Sequence, residues 1–250
     1  EDGEMGYNKA NAAYFLGGPE CAMSTLNANM DLKIKDYVIV DWKAITNAMD
    51  ALGGVDVNIE SNEIEILNKA LDEQIKTNGI KSKGVYDTGM QHLNGAQATA
   101  YCRIRSTGQG DITRTERQRE VIASMVAEAK QADLATLNDV VDEVFGQVGT
   151  NINKTDAIAL VTALFKYELG ETSGFPYQYV ATSNEKGSVL VPADLENNVI
   201  LLHKFLFDEE DYVPSDKVQA ISDKISSGSG VGNNVTGTEL DNLVNTQLEQ

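Results

Sequence analysis

All five arginines of this 250-residue sequence fall in one short stretch, at Arg103, Arg105, Arg114, Arg117 and Arg119. A guanidinium grips phosphate oxygens through two parallel hydrogen bonds and stays charged when partly buried. The window from 103 to 119 sets five positive side chains against Asp111 and Glu116, a local balance of +3 within a chain of net charge -18. A pyrophosphate fits two such forks converging on it. If Tyr101–Arg105 is a strand, Arg103 and Arg105 share one face with Tyr101, and Cys102 and Ile104 take the other. Arg114, Arg117 and Gln118 stand at i, i+3 and i+4, which groups them on one side of the following helix near its N-terminal turn, where the helix dipole favours an anion. Asp111 precedes that helix and suits three roles: capping, orienting an arginine, or catalysis. Arg117 and Arg119 divide between phosphate contact and a solvated or structural role, with Glu116 a helical-spacing partner for Arg119.

The flanking sequence supplies elements to carry these groups. Pro19 follows Gly17-Gly18 at a helix start. Tyr37–Val40 reads as a short buried strand. Asp41 caps a helix with Ile45, Met49 and Leu52, closed by Gly53-Gly54, and Val55–Ile59 alternates as a strand. Residues 61–76 are helical in pattern, 79–89 form a polar loop, and 94–100 a short helix. A long helix runs from Thr113 to about Lys130, with amphipathic segments over 134–148 and from Thr155. Short strands over 177–181 and 188–191 precede a helix over 194–207. The pattern weakens after Pro214. The strand-helix-strand order predicts an α/β layered fold.

Composition narrows the function class. At 42% hydrophobic the chain buries a sizeable core. Its acidity repels nucleic acid, and it shows no basic recognition helix. No apolar run reaches the length of a membrane span. Cys21 and Cys102 lack metal-binding or redox spacing, His92 and His203 stand far apart, and Trp42 reads as core. No GxSxG, Walker or GxGxxG motif occurs.

Three ordered motifs carry a family resemblance. They are Asn8–Tyr14 with Gly17–Glu20, Asp41–Val57 with its Asp50-Ala51-Leu52-Gly53-Gly54-Val55-Asp56-Val57 run, and Ala98–Arg105 followed by Gly110–Arg119. Together they resemble the LytR-CpsA-Psr family of cell-envelope phosphotransferases, most clearly over residues 5–132. The resemblance implies a three-layer α/β/α domain with a central mixed β-sheet, its N-terminal part absent, and a hydrophobic pocket for a polyprenyl chain. It gives a core over 1–132 and a C-terminal part of the same domain over 133–215, and the weak pattern after Pro214, with Gly, Ser and Asn dense over 226–238, marks 216–250 as a flexible tail. It implies transfer of a phosphoglycosyl or glycopolymer unit from a polyprenyl-pyrophosphate-linked precursor to peptidoglycan or a similar acceptor, assisted by magnesium. The setting it implies is the extracytoplasmic face of a bacterial membrane. Arg103, Arg105, Arg114, Arg117 and Gln118 are expected at the pyrophosphate, with Asp111 and Arg105 in catalytic roles. Family members carry an earlier Asp and Arg set, so the magnesium ligands and a membrane anchor are expected ahead of Glu1, and no metal ligand is assigned here. Two alternatives accompany this reading: a non-catalytic binder of polyprenyl phosphate or glycan, and a transcriptional attenuator, which the net charge disfavours.

Overall fold

The computed structural model describes residues 8–107, 111–184 and 187–231, with the side chains of Asn78 and Asp111 outside that description. In chain order the first elements are α1 (Ala12–Met30), β1 (Val38–Ile39), α2 (Trp42–Ala51), β2 (Val55–Ile59), α3 (Ile64–Asn78), β3 (Gly89–Leu93) and α4 (Gly95–Tyr101). They are followed by α5 (Asp111–Gln131), α6 (Leu134–Phe145), β4 (Gly149–Thr150), α7 (Lys154–Ala163), β5 (Tyr179–Asn184), β6 (Gly187–Pro192), α8 (Leu195–Phe207) and α9 (Asp216–Ser229). The class is α/β, as expected. Among the described residues the strands pair as three separate two-stranded antiparallel sheets, β1 with β4, β2 with β3, and β5 with β6.

Two compact units form, one from residues 38–172 and the other from residues 1–37 with 173–250. They cut across the expected divisions at 132/133 and 215/216. The reason lies in packing between distant parts of the chain: Met30 of α1 joins Leu195, Val199 and Val218 in the second unit's core. In that unit α1 is broken at Gly17 and Gly18, whose backbone angles are not helical, so a helical piece does begin at Pro19. Residues 216–229, expected as tail, are helical, with Ser215 accepting from the Val218 amide as the cap. Val218, Ile221, Ser222 and Ile225, at i, i+3, i+4 and i+7, turn toward the core, a helical period that the expectation of a tail passed over. The rest of the expected tail, from residue 232, lies outside the described residues.

The unit of residues 38–172 carries the arginines. Asp41 accepts the Ala44 amide at 2.7 Å and starts α2. Gly53 and Gly54 adopt φ of 97° and 120°, a turn closed to residues with a β-carbon. β2 then alternates as read, with Val55, Val57 and Ile59 buried against Met49, Leu67, Leu93 and Ile104. Its partner β3, Gly89–Leu93, was not visible in the sequence: Gln91 and His92 lie among its five residues, and only Leu93 is fully buried. β1 is two residues long and Val38 is 57% exposed, so the expected buried strand is an exposed edge. Trp42 opens α2 at 44% exposure and is not a core residue.

α4 is built almost entirely of small residues, and that composition lets it pack closely against α2. A β-carbon at Gly95 would sit inside the carbonyl of Thr46. The Thr46 and Thr99 hydroxyls bond at 2.8 Å, and Asp50 accepts the Gly95 amide at 2.7 Å. Asn94 and Gln97 close a reciprocal capping box at its start. With α4 held at both its cap and its face, the direction in which the chain leaves it toward Arg103 is determined.

Candidate functional site

The expected strand over Tyr101–Arg105 is the end of α4 and a turn. Cys102 donates to the Ala98 carbonyl at 3.0 Å, Arg103 to Ala100 at 3.1 Å and Ile104 to Tyr101 at 3.2 Å, so helical bonding continues past Tyr101. The capping box and the small residues favour helix over the apolar-basic alternation. Exposure still alternates, with Cys102 and Ile104 inward and Arg103 and Arg105 outward. Tyr101, expected on the arginine side, is 3% exposed and belongs to the core.

α5 begins at Asp111, two residues earlier than read. It brings Gln118 to the turn, where the Gln118 side chain donates to the Cys102 carbonyl at 3.4 Å. That carbonyl is one that a helix end leaves without an intrahelical partner. Arg114 and Arg119 are half-buried on α5. The Gln118 and Arg117 side chains of α5 thus bond the carbonyls of Cys102 and Ile104 in the turn that carries Arg103 and Arg105. The side chain of Asp111 lies outside the described residues, and so do Gly108–Gly110 of the intervening loop.

Arg117 points inward. Its Nε donates to Glu63 Oε1 at 2.7 Å, Nη1 to the Ile104 carbonyl at 3.4 Å and Nη2 to the Thr107 hydroxyl. Its guanidinium carbon sits 5.7 Å from the Tyr101 ring centre. Glu63 and Arg117 are 3% and 5% exposed, so the structural role for Arg117 is the one the geometry displays. Glu63 also accepts the Glu60 amide at 2.9 Å. Sequence reasoning missed Glu63, Thr107 and Glu120. An acid in the polar run Ser61-Asn62-Glu63 carries no local sign of burial.

Tyr101 donates to Glu120 at 2.8 Å, and the other Glu120 oxygen accepts the Asn58 amide at 3.1 Å. Burial, then the Glu120 bond, pushes the Tyr101 phenol well above its usual range, so it acts as a neutral donor. Burial pushes the Cys102 thiol up to about 12, which removes it as a nucleophile. Both cysteines are free thiols. A cleft of about 230 Å³ opens beside this network, lined by Glu60, Glu63, Tyr101, Thr113, Arg117 and Glu120 among others. Among the described residues no group of three or more His, Cys, Asp or Glu side chains is placed to hold a metal ion. No described helix is long and apolar enough to cross a membrane.

Both histidines have structural partners. His92 bonds Asp56 at 2.7 Å and the Gly53 carbonyl at 2.9 Å. His203 stacks on Tyr212 at 3.6 Å and bonds the Met30 carbonyl at 3.0 Å.

Comparison with known proteins agrees with this picture. The chain is 30% identical over 155 residues to the polyisoprenyl-teichoic acid–peptidoglycan teichoic acid transferase TagV of Bacillus subtilis, covering 61% of this chain and 37% of TagV. It is 28% identical over 203 residues to the B. subtilis teichoic acid transferase TagT, covering 78% of this chain and 60% of TagT. The chain thus spans less than two thirds of either relative. Among solved structures, B. subtilis TagV superposes with a TM-score of 0.59 at 24% identity, over 84% of this chain and 78% of that one. A transcriptional regulator from Enterococcus faecalis superposes with a TM-score of 0.62 at 24% identity, over 92% and 78%. At these identities the superpositions speak for the fold. The LytR_cpsA_psr family model matches residues 1–189, which include α4, the arginine turn and α5, and the chain belongs to the LytR_cpsA_psr family.

Proposed function

We propose that the turn bearing Arg103 and Arg105, with Arg114 and Gln118 of α5, binds the pyrophosphate of a polyprenyl-linked glycopolymer. In this reading the chain is the phosphate-binding part of a phosphotransferase that delivers the phosphoglycosyl unit to peptidoglycan or a similar acceptor. One observation carries it: two exposed arginines on a turn that α5 holds through hydrogen bonds to the Cys102 and Ile104 carbonyls, in a protein otherwise strongly acidic. The names of TagV and TagT, teichoic acid transferases, support the reaction class. The peptidoglycan in those names supports a cell-envelope setting, for which the extracytoplasmic face is our reading.

In the transfer, an acceptor hydroxyl oxygen bonds to the phosphorus that carries the glycan. The bond from that phosphorus to the bridging oxygen breaks, and polyprenyl phosphate leaves with the electron pair. The arginines offset the charge that grows on the bridging and non-bridging oxygens, where fixed donors do most for phosphoryl transfer. Asp111 is the candidate to take the hydroxyl proton. Magnesium, implied by the family resemblance, would add charge neutralisation when bound; among the described residues no group of three or more His, Cys, Asp or Glu side chains is placed to hold it.

The test is transfer of a labelled polyprenyl-pyrophosphate glycan to peptidoglycan by the full-length protein. Arg105→Ala is expected to keep its thermal midpoint and to lose roughly 100-fold in turnover, the scale of losing one transition-state donor. Wild-type turnover in that variant overturns the proposal.

A further inference from the structure

We propose that Glu63 and Arg117 are positioning residues that hold the Arg103–Arg105 turn in register with α5; this rests on the phosphate-binding function proposed above. The Arg117 guanidinium joins Glu63 at the head of α3, the Tyr101 ring at the end of α4, and the turn beyond it. Its bonds to the turn fall on the Ile104 carbonyl and the Thr107 hydroxyl, one on each side of Arg105. The segment presenting Arg105 is therefore tied at both ends to a side chain that is itself buried. Glu63 fixes the guanidinium plane from the opposite side, and the Glu60 amide fixes Glu63 in turn. A lysine ammonium cannot reproduce this planar reach in three directions.

Stability does not account for the pair. A buried ion pair replaced by apolar residues of similar size is often neutral or stabilising. What the pair supplies is geometry, and a displacement of about 1 Å at a phosphate grip is enough to lose most of its effect.

The experiment measures inorganic pyrophosphate binding by calorimetry, with thermal midpoints, for wild type, Arg105→Ala, Thr107→Val and the double variant Glu63→Leu/Arg117→Met. The double variant is expected to keep or raise the midpoint while pyrophosphate binding weakens about tenfold or more, a split that a purely structural pair does not produce. Thr107→Val keeps the side chain's shape and removes the acceptor, and is expected to weaken binding about threefold. Binding within about twofold of wild type in a folded double variant overturns the proposal. If the double variant does not fold, Thr107→Val decides: unchanged binding overturns it and weakened binding supports it. Unchanged binding in Arg105→Ala, or none in wild type, overturns the phosphate-binding function itself and the positioning role with it. Loss in Arg105→Ala beside unchanged binding in the double variant overturns positioning alone.

Discussion

Replacing Gly95 by alanine tests whether close packing of α2 and α4 sets the position of the arginine turn. A β-carbon there meets the Thr46 carbonyl carbon at 2.9 Å, with the carbonyl oxygen nearer still, and Asp50 Oδ1 at 3.0 Å. The first two obstacles are backbone, so the helices must part. Parting them strains the Thr46–Thr99 hydroxyl bond and the Asp50 bond to the Gly95 amide. Overpacking costs about 1–3 kcal/mol, and each weakened buried hydrogen bond adds about 1 kcal/mol. Alanine returns about 1 kcal/mol through reduced backbone freedom in the unfolded chain. The expected net loss is about 3 kcal/mol. Gly146→Ala is the control: Gly146 has φ of -74°, and nothing lies within 4 Å of the added carbon. It is expected to stabilise by about 0.4–1 kcal/mol. Trp42, the only tryptophan, opens α2, so its fluorescence during urea unfolding reports on the unit of residues 38–172. If Gly95→Ala unfolds at or above the wild-type urea concentration, the close-packing account is refuted. Opposite shifts in the two variants are what it requires.

Two further outcomes follow from local geometry. Asn94→Ala removes one half of the capping box, and is expected to cost about 1 kcal/mol in the same urea assay; an unchanged midpoint means the box does not hold α4. The Asp56 bond, then the Gly53 carbonyl, raise the His92 pKa above 6.5, so His92 stabilises the fold when protonated. That contribution is full below the unfolded value near 6.5 and is lost as pH rises through the higher folded value. The stability difference between wild type and His92→Gln should therefore shrink as pH rises from about 6 to 8.5, and a difference that is flat or grows contradicts the assignment.

Much of the framework around the arginines was legible because its signals are local. Arginine clustering is a property of composition, and the Asp41 cap, the alternation of β2 and the Gly53-Gly54 turn each depend on neighbours within a few residues. The strand reading of 101–105 failed for the same reason. Alternating exposure occurs both in a strand and in the turn leaving a helix, and the choice was made by α4 packing through Thr99 onto Thr46, 53 residues earlier in the chain.

The sequence by itself determined that all five arginines are concentrated between residues 103 and 119, that Arg103 and Arg105 face away from Cys102 and Ile104, and that α5 follows them. Only the tertiary structure decided which arginine turns inward. Arg117 and Gln118 are adjacent on one helix, yet Arg117 is buried because a carboxylate 54 residues away is buried opposite it. A buried charge needs a partner, and which distant residue supplies it is settled by how α3 and α5 are brought together and not by the residues beside it in the chain.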